Sequence, residues 1–420
     1  MKRKILVISP VATHPLNSGN RVRIYYFLSH LKKMGHEIHF LYIEQDIGWG
    51  GADVNAMENC WDGYYQMPYF FPQEREDGSS FVQRLINRGG RVAFRIIEKL
   101  RLFQLQRFVN KIYLLLFKKR FHTYLLDDWY DESLSKGIKE VSKRIDPDVV
   151  IVEYIAFSKV LELFSKKVLK VLDTHDIFTQ RNENLLKHDM EPTGWFSATL
   201  EEEKRALNRS DIIIAMQDKD REFFSKLTKK KIVTIGHISP LCKTLHDNSS
   251  KNKMLFIGDC SPKNIKAVEN FINNIFPLVK EKLPQAEFLI AGKICDFVKN
   301  KNESFIKLRK IDNIEDVYSM VGVVVNPEIF GTGLSIKNIE ALSYSKPLVT
   351  TSVGARGLEE GINRAFLVAD DPEQFAQSIV SIFTENKLYQ MLVDNAYEYA
   401  QRYNQKAFNT LSNCLTSYEK

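Results

Sequence analysis

Short unbroken apolar runs alternate along this chain with stretches of helical spacing. Residues 5–8 are continuously apolar, residues 21–34 carry apolar side chains at helical spacing, Gly35 ends that stretch, and residues 36–42 return to a strand pattern. Strand, helix and strand in that order make a βαβ unit, whose crossover implies parallel pairing. The same grammar recurs at residues 148–153, 168–173 and 211–215, each an apolar run preceded by a helical stretch. From residue 236 to 253 Pro, Ser, Asn, Asp and Lys displace the apolar residues and mark a linker. Beyond it, residues 254–258, 287–292, 321–325 and 347–351 read as strands, residues 264–282, 314–320 and 334–345 as helices, and the tail as mostly helix.

Two halves of one grammar predict an α/β chain of two doubly wound, Rossmann-like domains facing each other across a cleft. Residues 1–238 form the first domain, 239–253 the linker, 254–400 the second domain and 401–420 a terminal helix. Ligands are expected at the carboxyl ends of the strands, in the gap between the domains.

Composition supports that division and narrows the setting. A chain of 420 residues is too long for one ordinary core. With 44% hydrophobic and 26% charged residues it reads as a globular protein, neither disordered nor integral to a membrane. The opening Met1-Lys2-Arg3-Lys4 and its apolar sequel stop at Ser9-Pro10, which suits a buried first strand better than a secretion signal. Cys60, Cys242, Cys260, Cys295 and Cys414 show neither close pairing nor zinc spacing, so core thiols in a reducing, cytoplasmic compartment are expected.

The net charge of +7 is uneven: residues 84–120 hold eleven Lys or Arg against one acid, Glu98. Residues 82–125 read as one or two helices with Phe94, Ile97, Leu100, Phe103, Leu105 and Phe108 on part of one face. Such a segment suits peripheral attachment to an anionic membrane surface, or a solvated hairpin covering the first domain. No nucleic-acid motif accompanies it, so no nucleic-acid partner is expected.

The most informative stretch is residues 326–342. A buried strand gives way to a loop with Gly331 and Gly333, and a helix starts near Leu334, so backbone N–H groups and the positive helix end converge on an anion site. Lys337 and Glu340, three apart, share one face of that helix: the cation suits a diphosphate and the carboxylate a pair of ribose hydroxyls, unless they are a plain surface pair. In the first half, Gly19 follows the first strand, where a missing side chain permits close approach or simply a turn. Arg21 beside it either faces a diphosphate or starts the next helix. Asp173-Thr174-His175-Asp176 ends a strand, with Arg181 soon after; His175 suits acceptor positioning or proton transfer, or a structural place at the cleft, and Glu153-Tyr154 ends the preceding strand in similar fashion. Asp146-Pro147-Asp148 leads into a strand and Asp218-Lys219-Asp220 opens a helix, and no histidine cluster has ligand spacing, so no metal site is expected.

Residues 331–342, 346–351 and 353–358 together resemble the donor-binding signature of family 4 glycosyltransferases, which have the GT-B fold. Residues 256–258 with Pro262-Lys263-Asn264, residues 288–292, the stretch from Asp316-Val317-Tyr318 to Pro327, and residues 15–21 with Gly35-His36-Glu37 resemble further parts of the family; residues 45–135 do not. The resemblance implies a metal-independent, retaining transferase of the hexosyltransferase kind. It would use a nucleotide-diphosphate sugar as donor substrate, no cofactor, and a glycan or lipid-linked acceptor in bacterial-type surface polysaccharide or glycolipid synthesis. Glu340 matches the second glutamate of the paired-glutamate motif, which holds the donor ribose, whereas the first falls on Thr332. Gly333 and Leu334 would then serve through their amides, and Lys263, with Lys337 or Lys266, stands in for the basic pair on the diphosphate. His175 and Glu153 are the candidate catalytic residues. The resemblance further implies that the final helix crosses back to the first domain. A non-catalytic partner subunit and a sugar-nucleotide epimerase of the same fold are the rival readings.

Overall fold

A computed structural model describes residues 2–44, 51–69, 126–187, 197–243, 252–298, 305–309, 311 and 313–416. The basic segment 82–125 and most of the linker lie outside the described residues. The first sheet comprises β1 (Lys4–Ser9), β2 (Glu37–Glu44), β3 (Gly63–Pro68), β4 (Val149–Glu153), β5 (Leu169–Asp173), β6 (Ile212–Ala215) and β7 (Lys231–Thr234), all parallel, in the order β3-β2-β1-β4-β5-β6-β7. The second comprises β8 (Lys253–Ile257), β9 (Glu287–Ala291), β10 (Ile306–Leu308), β11 (Val323–Asn326), β12 (Leu348–Thr350) and β13 (Leu367–Val368), also parallel, in the order β10-β9-β8-β11-β12-β13. Helices cover both sheets, which is why the central strands are buried along their whole length.

Strand order reverses beside β1 in the first sheet and beside β8 in the second. At such switch points neighbouring loops diverge and open a crevice at the carboxyl ends. Gly19 starts the helix after β1, Glu153 ends β4, Lys263 lies in the first turn of the helix after β8, and Thr332 lies in the loop after β11, all at these carboxyl ends.

Local chemistry explains most boundaries. Gly35, at φ +91°, provides the left-handed exit from the helix Gly19–Lys33. The helix expected over residues 264–282 is broken into Pro262–Asn270, a π-helical turn Phe271–Ile275, and Phe276–Lys282. Pro277 has no amide proton to continue the ladder, and a wide turn absorbs the missing bond. The helix Val54–Cys60 and strand β3 had no recognised sequence signal; Asp53 caps that helix by accepting from the Ala56 amide, and β3 pairs along β2 despite its mixed exposure.

The terminal helix starts earlier than expected, spanning Asn386–Thr416. Leu392 packs in the second domain's core, while Ala407, Leu411, Cys414 and Leu415 belong to the core of the first. Between them Asn404 donates from Nδ2 to the Ser239 carbonyl at 2.7 Å, and Tyr403 lies against Gly236, where any Cβ would collide with its ring. One helix therefore ties both domains to the start of the linker. Leu411→Ala is expected to cost about 2–5 kcal/mol through the cavity it leaves. Urea denaturation of the variant checks this; an unchanged midpoint would show that the helix end does not stabilise the first domain.

Candidate active site

The second domain's side of the cleft is built on a buried amide network. Asn326, the last residue of β11, donates from Nδ2 to Ser335 Oγ at 3.0 Å and to Asn338 Oδ1 at 2.9 Å. Asn338 in turn donates to the Gly354 carbonyl at 2.8 Å, and the Thr350 hydroxyl donates to the Asn326 carbonyl at 2.9 Å. Every member is buried, so the network fixes the loop and the helix Ile336–Ser343 as one unit. Ser335 is the N-cap, yet its hydroxyl makes no capping bond to the helix; the amides of the first turn lack that local partner.

Two lysines converge there. Lys263 Nζ is 3.0 Å from Glu328 Oε1, and Lys337 Nζ donates to Asn264 Oδ1 at 2.6 Å while lying 4.2 Å from the Phe256 ring centroid. Glu328 is 3% exposed; burial opposes its charge, but Lys263 and then Lys337 hold its carboxyl below the ordinary range. The ion pair with Glu328 raises Lys263, whereas burial outweighs the same carboxylate at Lys337 and lowers it to about 8. Asp259 lies in reach of both lysines as well, so two cations and two carboxylates cluster beside a helix N-terminus, whose end adds positive potential. One turn on, Glu340 accepts from Tyr318 Oη at 3.1 Å, and Tyr318 stacks on Tyr344 at 4.5 Å. Burial raises Glu340 to about 7, against the pull of Tyr318 and Lys337. Tyr26 of the first domain lies close enough that Glu340 adds to the burial that pushes it to about 12.

The helix start faces the other domain. A Cβ on Gly19 would come within 3.4 Å of Ile336, Gln217 donates to the Thr332 carbonyl at 2.8 Å, and Thr332 Oγ1 donates to Asp176 Oδ1 at 3.2 Å. Leu334 is buried and packs near Gly357. Arg21 is oriented differently from the diphosphate role considered for it: its guanidinium donates to the carbonyls of His14 at 3.1 Å and Gly51 at 3.3 Å, bracing its own domain's loops. Lys266 lies over Phe330, 5.9 Å from the ring centroid.

The first domain's side is acidic. His175 Nε2 is 2.6 Å from Glu153 Oε2, and its ring stacks on Tyr154 at 4.0 Å. Tyr154 and His175 have φ of +70° and +61°, a left-handed conformation that costs a non-glycine residue about 1–3 kcal/mol and concentrates at functional sites. Burial and Asp173 push Glu153 above the usual carboxylate range against the pull of His175 and Arg23. Ligand atoms of Glu153, Asp173 and His175 lie within 4.8 Å of one another, a spacing a metal ion could use. A cation already serves that cluster: Arg23, fully buried, is 3.0 Å from Asp173 Oδ2 and also donates to the Ile235 carbonyl. Of the Asp-x-Asp triplets, Asp148 accepts from the Lys4 amide and Asp218 and Asp220 lie in the first turn of the helix Asp218–Ser225.

A cavity of about 750 Å³ lies in another part of the interdomain crevice, with Gln217, Gly357, Tyr399, Arg402, Tyr403 and Lys406 in its wall. Lys263, Lys337 and Glu340 are not in its lining, so charge and helix geometry, rather than volume, mark the site. Sequence reasoning missed Glu328 and Arg23. Glu328 stands between two residues of an otherwise recognised loop, and Arg23 is a charged residue on the buried face of the helix Gly19–Lys33; only the fold shows what each one touches.

Residues 251–385, within the second half of the chain, match the family model for glycosyl transferases group 1. The chain as a whole has the GT-B fold: it is similar to sucrose-phosphate synthase from Thermosynechococcus elongatus, at TM-score 0.67 and 14% identity over 100% of both chains. A similar likeness, TM-score 0.65 and 11% identity over 99% of both chains, holds for the pneumococcal O-GlcNAc transferase GtfA in complex with UDP and GlcNAc. An uncharacterised 44.6 kDa protein in the cps region of Klebsiella pneumoniae is 21% identical over 160 residues, which span 35% of this chain and 41% of that protein.

Asp220 gives a test of the acidic wall. Burial, with Asp176 adding, raises its carboxyl from 3.8 to about 8, so the folded state holds a proton that the unfolded chain has released. That contribution is complete below about pH 4 and is lost as the pH rises through about 8. Between pH 5 and 8 the wild type should therefore lose more stability than Asp220→Asn, measured by urea denaturation of both; parallel pH profiles would contradict the assignment.

Proposed function

We propose that this protein transfers a sugar from a nucleoside-diphosphate sugar to a glycan or lipid-linked acceptor, in surface polysaccharide or glycolipid synthesis. The observation that carries the reading is Lys337 and Glu340 on one face of a helix whose start faces the opposite domain, with Lys263 beside them. Lysines and helix amides take the diphosphate and Glu340 the ribose hydroxyls, with Tyr318 fixing the carboxylate. Gly333 and Leu334 supply loop amides near the transferred sugar.

As the glycosidic bond to phosphate breaks, negative charge grows on the leaving diphosphate, where Lys263, Lys337 and the helix end stabilise it. The acceptor oxygen bonds to the anomeric carbon, and its proton passes to the departing phosphate oxygen on the same face, which retains configuration. His175, held through Nε2 by Glu153, positions that acceptor hydroxyl. The signature's resemblance to retaining, metal-independent transferases supports this course. The neighbour crystallised with UDP and GlcNAc supports a sugar-nucleotide donor, and the relative in the cps region supports a polysaccharide setting. No helix among the described residues is long and apolar enough to cross a membrane. We assign peripheral contact with anionic lipid, on composition, to residues 84–120.

Thermal-shift screening against UDP, GDP, dTDP and ADP and their sugars tests the reading; no stabilisation by any of them would overturn it. Diphosphate affinity should rise as Glu340 ionises near pH 7 and fall as Lys337 loses its proton near pH 8. Lys337→Arg should remove the alkaline limb and Glu340→Gln the acid limb, the latter with affinity lowered by about 1–3 kcal/mol. Calorimetry across pH 6–9 reads both, and profiles unaltered by either substitution would remove these residues from the donor site.

A further inference from the structure

We propose that Asp176 is a specificity-determining residue that accepts hydrogen bonds from hydroxyls of the sugar carried by the diphosphate. The inference rests on the donor-binding reading above and adds to it a contact supplied by the opposite domain.

Asp176 is held at the cleft by its own loop. Beyond β5 the Thr174 hydroxyl donates to the Ile214 carbonyl at 2.8 Å, His175 takes the left-handed conformation, and the Asp176 amide turns back to the Thr174 carbonyl at 2.8 Å. The side chain is thereby presented to the second domain. Its Oδ1 accepts from the Ile177 amide at 2.9 Å and from the Thr332 hydroxyl at 3.2 Å, while Oδ2 is 3.7 Å from Arg181 Nη1, beyond a direct hydrogen bond. A Cβ added at Gly333 would lie 3.3 Å from Oδ1, so the bare backbone there lets the carboxylate approach the loop. The Asp176 charge also contributes to raising Lys263, which places it in electrostatic reach of the lysine pair.

Three features identify the ligand chemistry. The partner Asp176 has already taken from the second domain is an alcohol, Thr332, whose O–H is the same donor that a sugar presents. Arg181 and Lys263 already supply positive charge nearby, so what the remaining acceptor positions need is neutral donors. The other acids of this wall are engaged internally: Glu203 accepts from the Phe178 and Thr179 amides and Asp220 from Gln217, which leaves Asp176 as the one that touches the opposite loop. A group extending from a diphosphate at Lys263 towards Thr332 and Gly333 meets Asp176 from the far side of the cleft.

The test compares wild type, Asp176→Asn and Asp176→Ala by calorimetry with a bare diphosphate and with its sugars: UDP against UDP-GlcNAc and UDP-glucose, or the counterparts of whichever base the thermal-shift panel selects. Melting temperature checks that each variant is folded, and the conservative Asn variant keeps the comparison valid if the Ala variant is not. We expect the Ala variant to lose about tenfold or more in affinity for the sugar nucleotide, while its affinity for the bare diphosphate stays within about twofold. Equal losses for both ligands would mean that Asp176 merely helps to close the cleft, and would overturn the proposal, as would no loss for either. Wild-type protein that binds the bare diphosphate while the variants keep full preference for the sugar would overturn this inference alone. Failure of every diphosphate and sugar nucleotide to bind wild type would overturn the donor-binding reading together with it.

Discussion

Everything at the cleft depends on the charges gathered beside one helix end: Lys263 and Lys337 lie against the buried Glu328, with Asp259 in reach of both. A buried carboxylate without cations would be neutralised by a proton, and buried lysines without an anion would lose theirs. Glu328, with Asp176 and Asp259 adding, favours the charged form of Lys263, whereas burial prevails at Lys337. The helix start adds positive potential of its own, and the Asn326–Asn338 network keeps its amides from drifting.

The opposite wall is rich in carboxyl groups. Glu153, Asp173, Asp176, Glu203 and Asp220 line the carboxyl-end loops of the first sheet or the helices behind them, with Arg23 and His175 as the cationic or neutral partners closest to hand. Asp173 is paired with Arg23, and burial raises Glu153, Glu203 and Asp220, so Asp176 is the carboxylate of this wall that meets the opposite loop. Where the walls meet, the contacts are short-range and polar: Gln217 to the Thr332 carbonyl and Thr332 to Asp176.

The two-domain architecture was legible because a parallel sheet covered on both faces requires unbroken apolar strands, and residues 5–8, 148–153, 254–258 and 321–325 have no other economical explanation. Strands β3, β10 and β13 were not legible for the same reason: they lie at sheet edges, are short or half exposed, and carry too few apolar residues to stand out. Lys263, Lys337 and Glu340 were found because their spacing is local to one loop and one helix. Arg21 shows the limit of such reasoning. Its place beside Gly19 suggested the diphosphate, but side-chain direction depends on carbonyls contributed by residues 14 and 51, one of them far off in sequence.

The position of Thr332 shows how a changed motif can be absorbed by the fold. A threonine is too short to reach far from its own loop, yet its hydroxyl meets Asp176 because Gly331 and Gly333 flank it. Gly331 has φ +155°, and any side chain there would strike Glu328, so the residue that seats the lysines also dictates a glycine next to Thr332. Arg356 then donates to the Gly331 carbonyl from the next loop, pinning the turn from behind. The loop is thus constrained on three sides by its own domain, and its free face can meet only the first domain. With a threonine at position 332, the carboxylate that meets this loop, Asp176, comes from the first domain, so the contact exists only while the cleft is closed.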